Sequence, residues 1–183
     1  MHADVVGVHR LYPAERSVLS MWYALSLVAT ISATIAFLHW YSYRHLKNDI
    51  IRGRRWDLNI CCGNTDGGGI NADIVRHGDV PNFVKLDSVY RLPFADGQFD
   101  VVLCSHTAEH VDYPRRFDRE LRRVGRTVVY ILPPIWDLAA SLNVLEHKWL
   151  YLSVRKVHYE LPPRIALPFA RRLQARIGQR IAA

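Results

Sequence analysis

From Ser17 to Tyr43 the chain carries no Asp, Glu, Lys or Arg. A helix needs about 20 apolar residues to cross the hydrocarbon core, and the stretch Met21–Trp40 is long enough. Trp22 and Tyr23 stand at one end, Trp40, Tyr41 and Tyr43 at the other, where membrane-interface aromatics belong. The pattern predicts one transmembrane helix over 17–43. A buried core helix of this length would show a polar face, and the run is too long for a cleaved signal peptide.

After a basic juxtamembrane linker, 44–55, the pattern changes to short apolar runs. Leu58–Cys61, Ile70–Ile74, Phe99–Cys104 and Thr127–Leu132 read as buried strands, the last closed by Pro133 and Pro134. Tyr113–Val124 reads as a helix with Phe117, Leu121 and Val124 on one face and arginines opposite, stopped by Gly125. Only Gly63–Gly69 separates the first two strands, although a parallel crossover usually takes a dozen or more residues. Seven residues span roughly 23 Å when extended, enough to run back along a short strand. An α/β fold with a parallel sheet and no first crossover helix is therefore expected over 56–160. Tyr151–Tyr159 has room for one strand at most. From Pro163 onward, Ile165, Phe169, Leu173, Ile177 and Ile181 recur every fourth position, with Arg171, Arg172, Arg176 and Arg180 on other faces. That spacing predicts a basic amphipathic helix over 161–183, lying on a membrane or packing on protein, a partner or a second copy.

The formal charge is +7 and the sequence pI near 9.6, which favours an anionic partner. The arginines flank the membrane elements without the interleaved aromatics of a stacking platform, so a lipid bilayer is expected and nucleic acid is not. Arg10 and Arg16 precede the span, whereas Arg44, Lys47, Arg52, Arg54 and Arg55 follow it. The asymmetry predicts a single-pass cell-membrane protein with its N-terminal tail, 1–16, outside and its domain cytoplasmic. Three cysteines, Cys61, Cys62 and Cys104, make no disulfide framework and fit a reducing compartment.

In an open parallel sheet, ligands sit outside the carboxyl ends of the strands. The residues there read L-N-I-C-C-G over 58–63, N-A-D-I over 71–74, L-P-F-A-D-G-Q-F-D-V-V over 92–102 and S-H-T-A-E-H-V over 105–111. This set resembles the class I S-adenosylmethionine (SAM) dependent methyltransferases, in particular their small type-11-like domains, over about residues 56–150. The resemblance implies a Rossmann-like methyltransferase sheet, here truncated, behind one N-terminal transmembrane helix. It further implies a cofactor, SAM, held by Asn59, Cys61, Gly63, Asp73, Asp87, Ser88 and Ser105. Asp73 matches the family's ribose-binding carboxylate, and Asp87-Ser88 falls where the family meets the adenine amino group. Cys61 stands where the family has its first glycine, while Gly63 is kept. His106 and His110 are the candidate general bases, needed only if the acceptor must lose a proton. Cys104, His106 and His110 lack a fourth ligand nearby, and Cys104 points into the sheet, so no metal is expected.

The expected function is a membrane-anchored SAM-dependent methyltransferase acting on a membrane-associated small molecule or lipid-linked acceptor. The alternative is a catalytically inactive subunit or scaffold of the same fold, fed by Cys61 and the missing helix.

Overall fold

The computed structural model describes residues 13–177, which divide into two compact units, one ending at Phe37 and one starting at Leu38. Most of the expected tail, and Arg180 and Ile181 of the expected C-terminal helix, lie outside the described residues. Helix α1 runs Pro13–Trp40. Every side chain from Ser17 to Thr34 is exposed, and the most apolar 18-residue window has a mean hydropathy of 1.7 with none of it buried. Three of its hydroxyls are satisfied within the helix: Ser20 donates to the Ser17 carbonyl, Thr30 to Ser26 and Thr34 to Thr30. Such back-bonding removes the cost of a polar group in an apolar medium. The helix is long and apolar enough to cross a membrane.

The second unit is built on a six-stranded sheet. Its strands are β1 (Leu58–Ile60), β2 (Ile70–Asp73), β3 (Phe83–Lys85), β4 (Phe99–Ser105), β5 (Gly125–Ile131) and β7 (Val157–His158). Their spatial order is β3-β2-β1-β4-β5-β7, parallel throughout except for the antiparallel β7. The order reverses between β1 and β4, and ligands bind at such a switch point. As expected, β1 and β2 are joined by loop alone, Cys61 to Gly69. The short β3 was not among the expected strands: two of its residues are half-buried and the third exposed, so it has no buried apolar run to announce it.

Alternation along β4 and β5 decides which residues cover which face. Val102, Cys104, Val128 and Tyr130 join the larger core with Phe117, Leu121 and Val124 of helix α3 (Pro114–Val124). Leu103, Val129 and Ile131 point the other way and pack with Ile51 and Trp56. Residues 44–55 were expected as a linker, yet a π-helical turn (Tyr41–Leu46) leads directly into helix α2 (Lys47–Arg52). Burial explains the difference, because Ile51 and Trp56 supply apolar cover for a sheet face that has no crossover helix of its own. Trp56 is tied in place by its indole N–H, which donates to the Ile51 carbonyl at 2.9 Å.

The C-terminal stretch departs from expectation. Arg164–Ala166 forms strand β8, which pairs antiparallel with β6 (Trp149–Tyr151) in a separate two-stranded sheet. Phe169 has a left-handed backbone, φ 61°, and beyond the short helix α4 (Leu138–Ser141) helix α5 covers only Ala170–Arg176. The stripe therefore never forms one helical face: Ile165 sits in a strand, and Ala170 and Gln174 are the residues of α5 that are buried. Pairing with β6 outweighs the helical period because it satisfies the ladder hydrogen bonds of both strands.

Candidate functional site

The carboxyl ends of β1 and β4 lie side by side, with Ile60 opposite Cys104 in register. Each strand is followed directly by a residue with positive φ that is not glycine: Cys61 at 51° and His106 at 52°. Left-handed backbone costs an L-residue roughly 1–2 kcal/mol, and such residues gather at functional sites. The His106 N–H is held by the Ile131 carbonyl of β5 at 2.8 Å, which fixes the turn out of β4.

Around these ends lie two neighbouring cavities. The first, of about 340 Å³, is lined by Asn59, Cys61, Gly63 and Ser105, with Tyr43 and His106 at its rim. The second, of about 330 Å³, is lined by His39, Tyr43, His106, His110, Glu146 and His147 among others. His106 and Tyr43 belong to both, their rings meeting edge to face with centroids 5.4 Å apart.

Four of the seven residues expected to hold the cofactor thus share one cavity. Gly63 (φ 55°) has nothing within 4 Å of where a Cβ would stand, so its backbone is open to a ligand. The Ser105 hydroxyl oxygen is buried without a hydrogen-bond partner. An open backbone cradle and an orphaned hydroxyl suit the polar end of a cofactor such as SAM. Asn59 is committed elsewhere: its amide donates to the Thr65 carbonyl and to Asn71 Oδ1, bracing the loop. Burial and the neighbouring Asp73 charge push the Cys61 thiol up, so it stays protonated and unreactive.

Asp73 clamps the loop to β2, its Oδ2 accepting from the Gly63 N–H at 2.9 Å and its Oδ1 from the Ile74 N–H at 2.7 Å. Asp87 and Ser88 face a different cavity, of about 890 Å³, beside Arg91 and Arg123. There the Ser88 hydroxyl oxygen accepts from the Tyr90 N–H, a local turn contact. Arg123 of α3 braces the L-P-F-A-D-G turn, reaching the Phe94 and Leu92 carbonyls and Asp96.

The two histidines expected as bases share the second cavity, and they are not alone in it. His106 Nδ1 lies 3.3 Å from Glu109 Oε1, and Lys156 Nζ stands 2.9 Å from His106 Nε2. Lys156 also donates to the Ser42 hydroxyl at 2.9 Å, inside the π-helical turn. With the ammonium on Nε2, the ring keeps its own proton on Nδ1, toward the carboxylate. Burial lowers the His106 pKa against the raising effect of Glu109, and Lys156 and Lys47 lower it further. Burial brings Lys156 itself down to about 8, opposed by Asp137 and Glu109. Burial alone would raise the Glu109 carboxyl, but the His106 ring, with His147 and His110, holds it down to about 2. His147 is brought to about 4, by burial first.

His110 donates from Nδ1 to the Glu146 carbonyl at 3.0 Å and meets His147 edge to face at 4.7 Å. Across the cavity, His39 Nδ1 lies 3.0 Å from the fully buried Asp137. Lys156, His147 and Asp137 were not legible as site residues, because they come from the segments after β5 with no motif around them. Glu109 adjoins the expected His110, and only its burial at 1% exposure marks it out.

Residues 70–131 match the family described as methyltransferase domain. An uncharacterized methyltransferase of Mycolicibacterium gilvum (strain PYR-GCK) is 42% identical over 62 residues, which is 33% of this chain and 24% of the relative. The matched segment thus spans about a quarter of that relative's length. Among solved structures, the YcgJ protein of Bacillus subtilis aligns at 20% identity and a TM-score of 0.43, over 61% of this chain and 63% of its own. The PH0226 protein of Pyrococcus horikoshii OT3 aligns at 16% identity and 0.37, over 81% and 80%.

Proposed function

We propose that this chain, which carries a class I methyltransferase domain over residues 70–131, is a membrane-anchored SAM-dependent methyltransferase. In this reading SAM occupies the cavity at Gly63 and Ser105, and the methyl acceptor enters the cavity at His106 and His110. One observation carries it: His106 and Tyr43 line both cavities, so a cofactor in one and an acceptor in the other meet at the same two side chains. SAM, when bound, supplies an electrophilic methyl group on a sulfonium, and transfer is an in-line displacement that depends mostly on positioning. Gly63 offers its open backbone and Ser105 its unpartnered hydroxyl to hold the cofactor. Neutral His106 keeps its N–H toward Glu109 and its lone pair on Lys156. A hydroxyl acceptor therefore meets a free base once Lys156 has released its proton.

The anchoring half of the reading rests on α1, which belongs to a run uncharged from Ser17 through Tyr43, and on the basic residues that follow that run. His39, Ser42 and Tyr43 close the span and also touch the domain's site residues. That continuity favours a membrane-associated or lipid-linked acceptor and a cytoplasmic domain. A second reading, an inactive scaffold, is favoured by Cys61 in the glycine position and by the engagement of both Asp73 oxygens.

The test is calorimetry of SAM on the full chain in detergent. It is followed by transfer from methyl-labelled SAM into membrane lipid extract. Saturable SAM binding with label entering the extract supports the enzyme. No heat at millimolar SAM leaves the scaffold reading in its place.

A further inference from the structure

Glu109 is 1% exposed, and among the described residues neither of its carboxylate oxygens has a hydrogen-bond partner. A buried carboxylate left in that state is expensive unless a cation stands beside it. Among the described residues the one basic group within an ion-pair distance is His106 Nδ1 at 3.3 Å, on a ring whose other nitrogen is already taken by Lys156. Two further imidazoles stand close by. His147 is 5% exposed and its Nδ1 is buried without a partner. His110 gives its Nδ1 proton to the Glu146 carbonyl, which leaves the Nε2 lone pair free. One donor atom from each of Glu109, His110 and His147 lies within 4.8 Å of the others.

We propose that Glu109, His110 and His147 bind a divalent transition-metal ion, with zinc the best match to the donor set. Two imidazoles and one carboxylate form the ligand set of open, catalytic zinc and iron sites, which keep a position for an exogenous ligand. Donors of a tetrahedral zinc site stand about 3.4 Å apart, given bonds of roughly 2.0–2.2 Å, so binding draws the three side chains inward by an ångström or so. The backbone is braced for this. The Glu109 carbonyl accepts from the N–H groups of Lys148 and Trp149, and Gln174 of α5 donates to the His147 carbonyl. The hydrogen bond from His110 to Glu146 is the outer-shell contact that fixes a metal-binding ring and its tautomer. His110 and His147 also line the second cavity, so an oxygen donor entering it reaches the ion.

The untagged full chain in detergent, stripped with EDTA, is titrated with zinc against a chromophoric chelator and separately with cobalt(II). One equivalent of zinc should bind at micromolar affinity or tighter, and cobalt should give the visible d–d bands of a low-coordinate site. His110→Asn, at a half-buried position, should weaken zinc by about tenfold or more, the scale of losses around metal ligands. Its unfolding midpoint in EDTA should equal that of the parent protein. His147→Asn should do the same to zinc, while His158→Asn should change nothing. Absence of stoichiometric zinc, or affinity unchanged in both His110→Asn and His147→Asn, overturns the proposal. SAM calorimetry on the EDTA-treated protein reads the methyltransferase assignment separately, so either one can fail alone.

Discussion

Replacing Asp73 by Asn separates two jobs that the carboxylate could perform. In the fold it accepts from the N–H groups of Gly63 and Ile74, at 2.9 and 2.7 Å, while only 8% exposed. Hydrogen bonds to a charged group contribute about 1.5–3 kcal/mol each. An amide keeps one acceptor oxygen and turns an NH₂ against the other donor, so one of the two bonds is lost. The expected cost is about 2 kcal/mol of stability, or roughly 6 °C in the unfolding midpoint for a unit of this size. Thermal unfolding of the full chain in detergent, followed by tryptophan fluorescence, reads that number because Trp56 lies buried against the sheet. If the carboxylate also receives the ribose hydroxyls of SAM, calorimetry should show affinity falling by another 10- to 100-fold or so, at a temperature where both proteins are folded. An unchanged midpoint would refute the clamp. A lowered midpoint with SAM affinity held within about twofold would make Asp73 a loop clamp and nothing more.

Gly69→Ala should be destabilising by about 3 kcal/mol, the upper end for overpacking, since its Cβ would meet the Trp56 and Asp57 carbonyl oxygens; an unaltered midpoint would mean that the loop yields freely. In EDTA, stability should fall as pH drops from 6.5 toward 4. The unfolded state takes up a proton on His147 that the folded state refuses, a difference of roughly 3 kcal/mol across the window. Glu109, held down to about 2, extends the loss below pH 4.5, and His147→Asn should flatten the upper part of the curve. Lys156→Met should leave SAM affinity within about twofold and remove the proton-dependent step, so that transfer to a hydroxyl acceptor no longer rises through pH 8; equal loss of SAM affinity would assign Lys156 a structural role. With the native cysteines replaced, an impermeant thiol reagent should label Ala3→Cys in whole cells and spare Arg155→Cys. The opposite pattern would reverse the topology.

The sequence by itself determined what depends on local periodicity and on chain length. The uncharged run from Ser17 could only be a long apolar helix, and the four apolar runs could only be buried strands. The nine residues between β1 and β2, Cys61 to Gly69, left no room for a crossover helix, and none formed. Tertiary structure decided whatever depends on competition for partners. The residues after the span became α2 because a bare sheet face needed apolar cover, which the local sequence does not announce. The C-terminal stripe lost its helical period to a strand pairing with β6, since a ladder partner remote in the chain outweighs a periodicity read in isolation. The site divided in the same way. Gly63, Ser105 and His106 were legible because they stand at or just past the carboxyl ends of strands. His147 and Lys156 join Glu109 and His106 only because β5, β7 and the segment before β6 fold back over the end of β4, and no spacing along the chain encodes a meeting made by four separate elements.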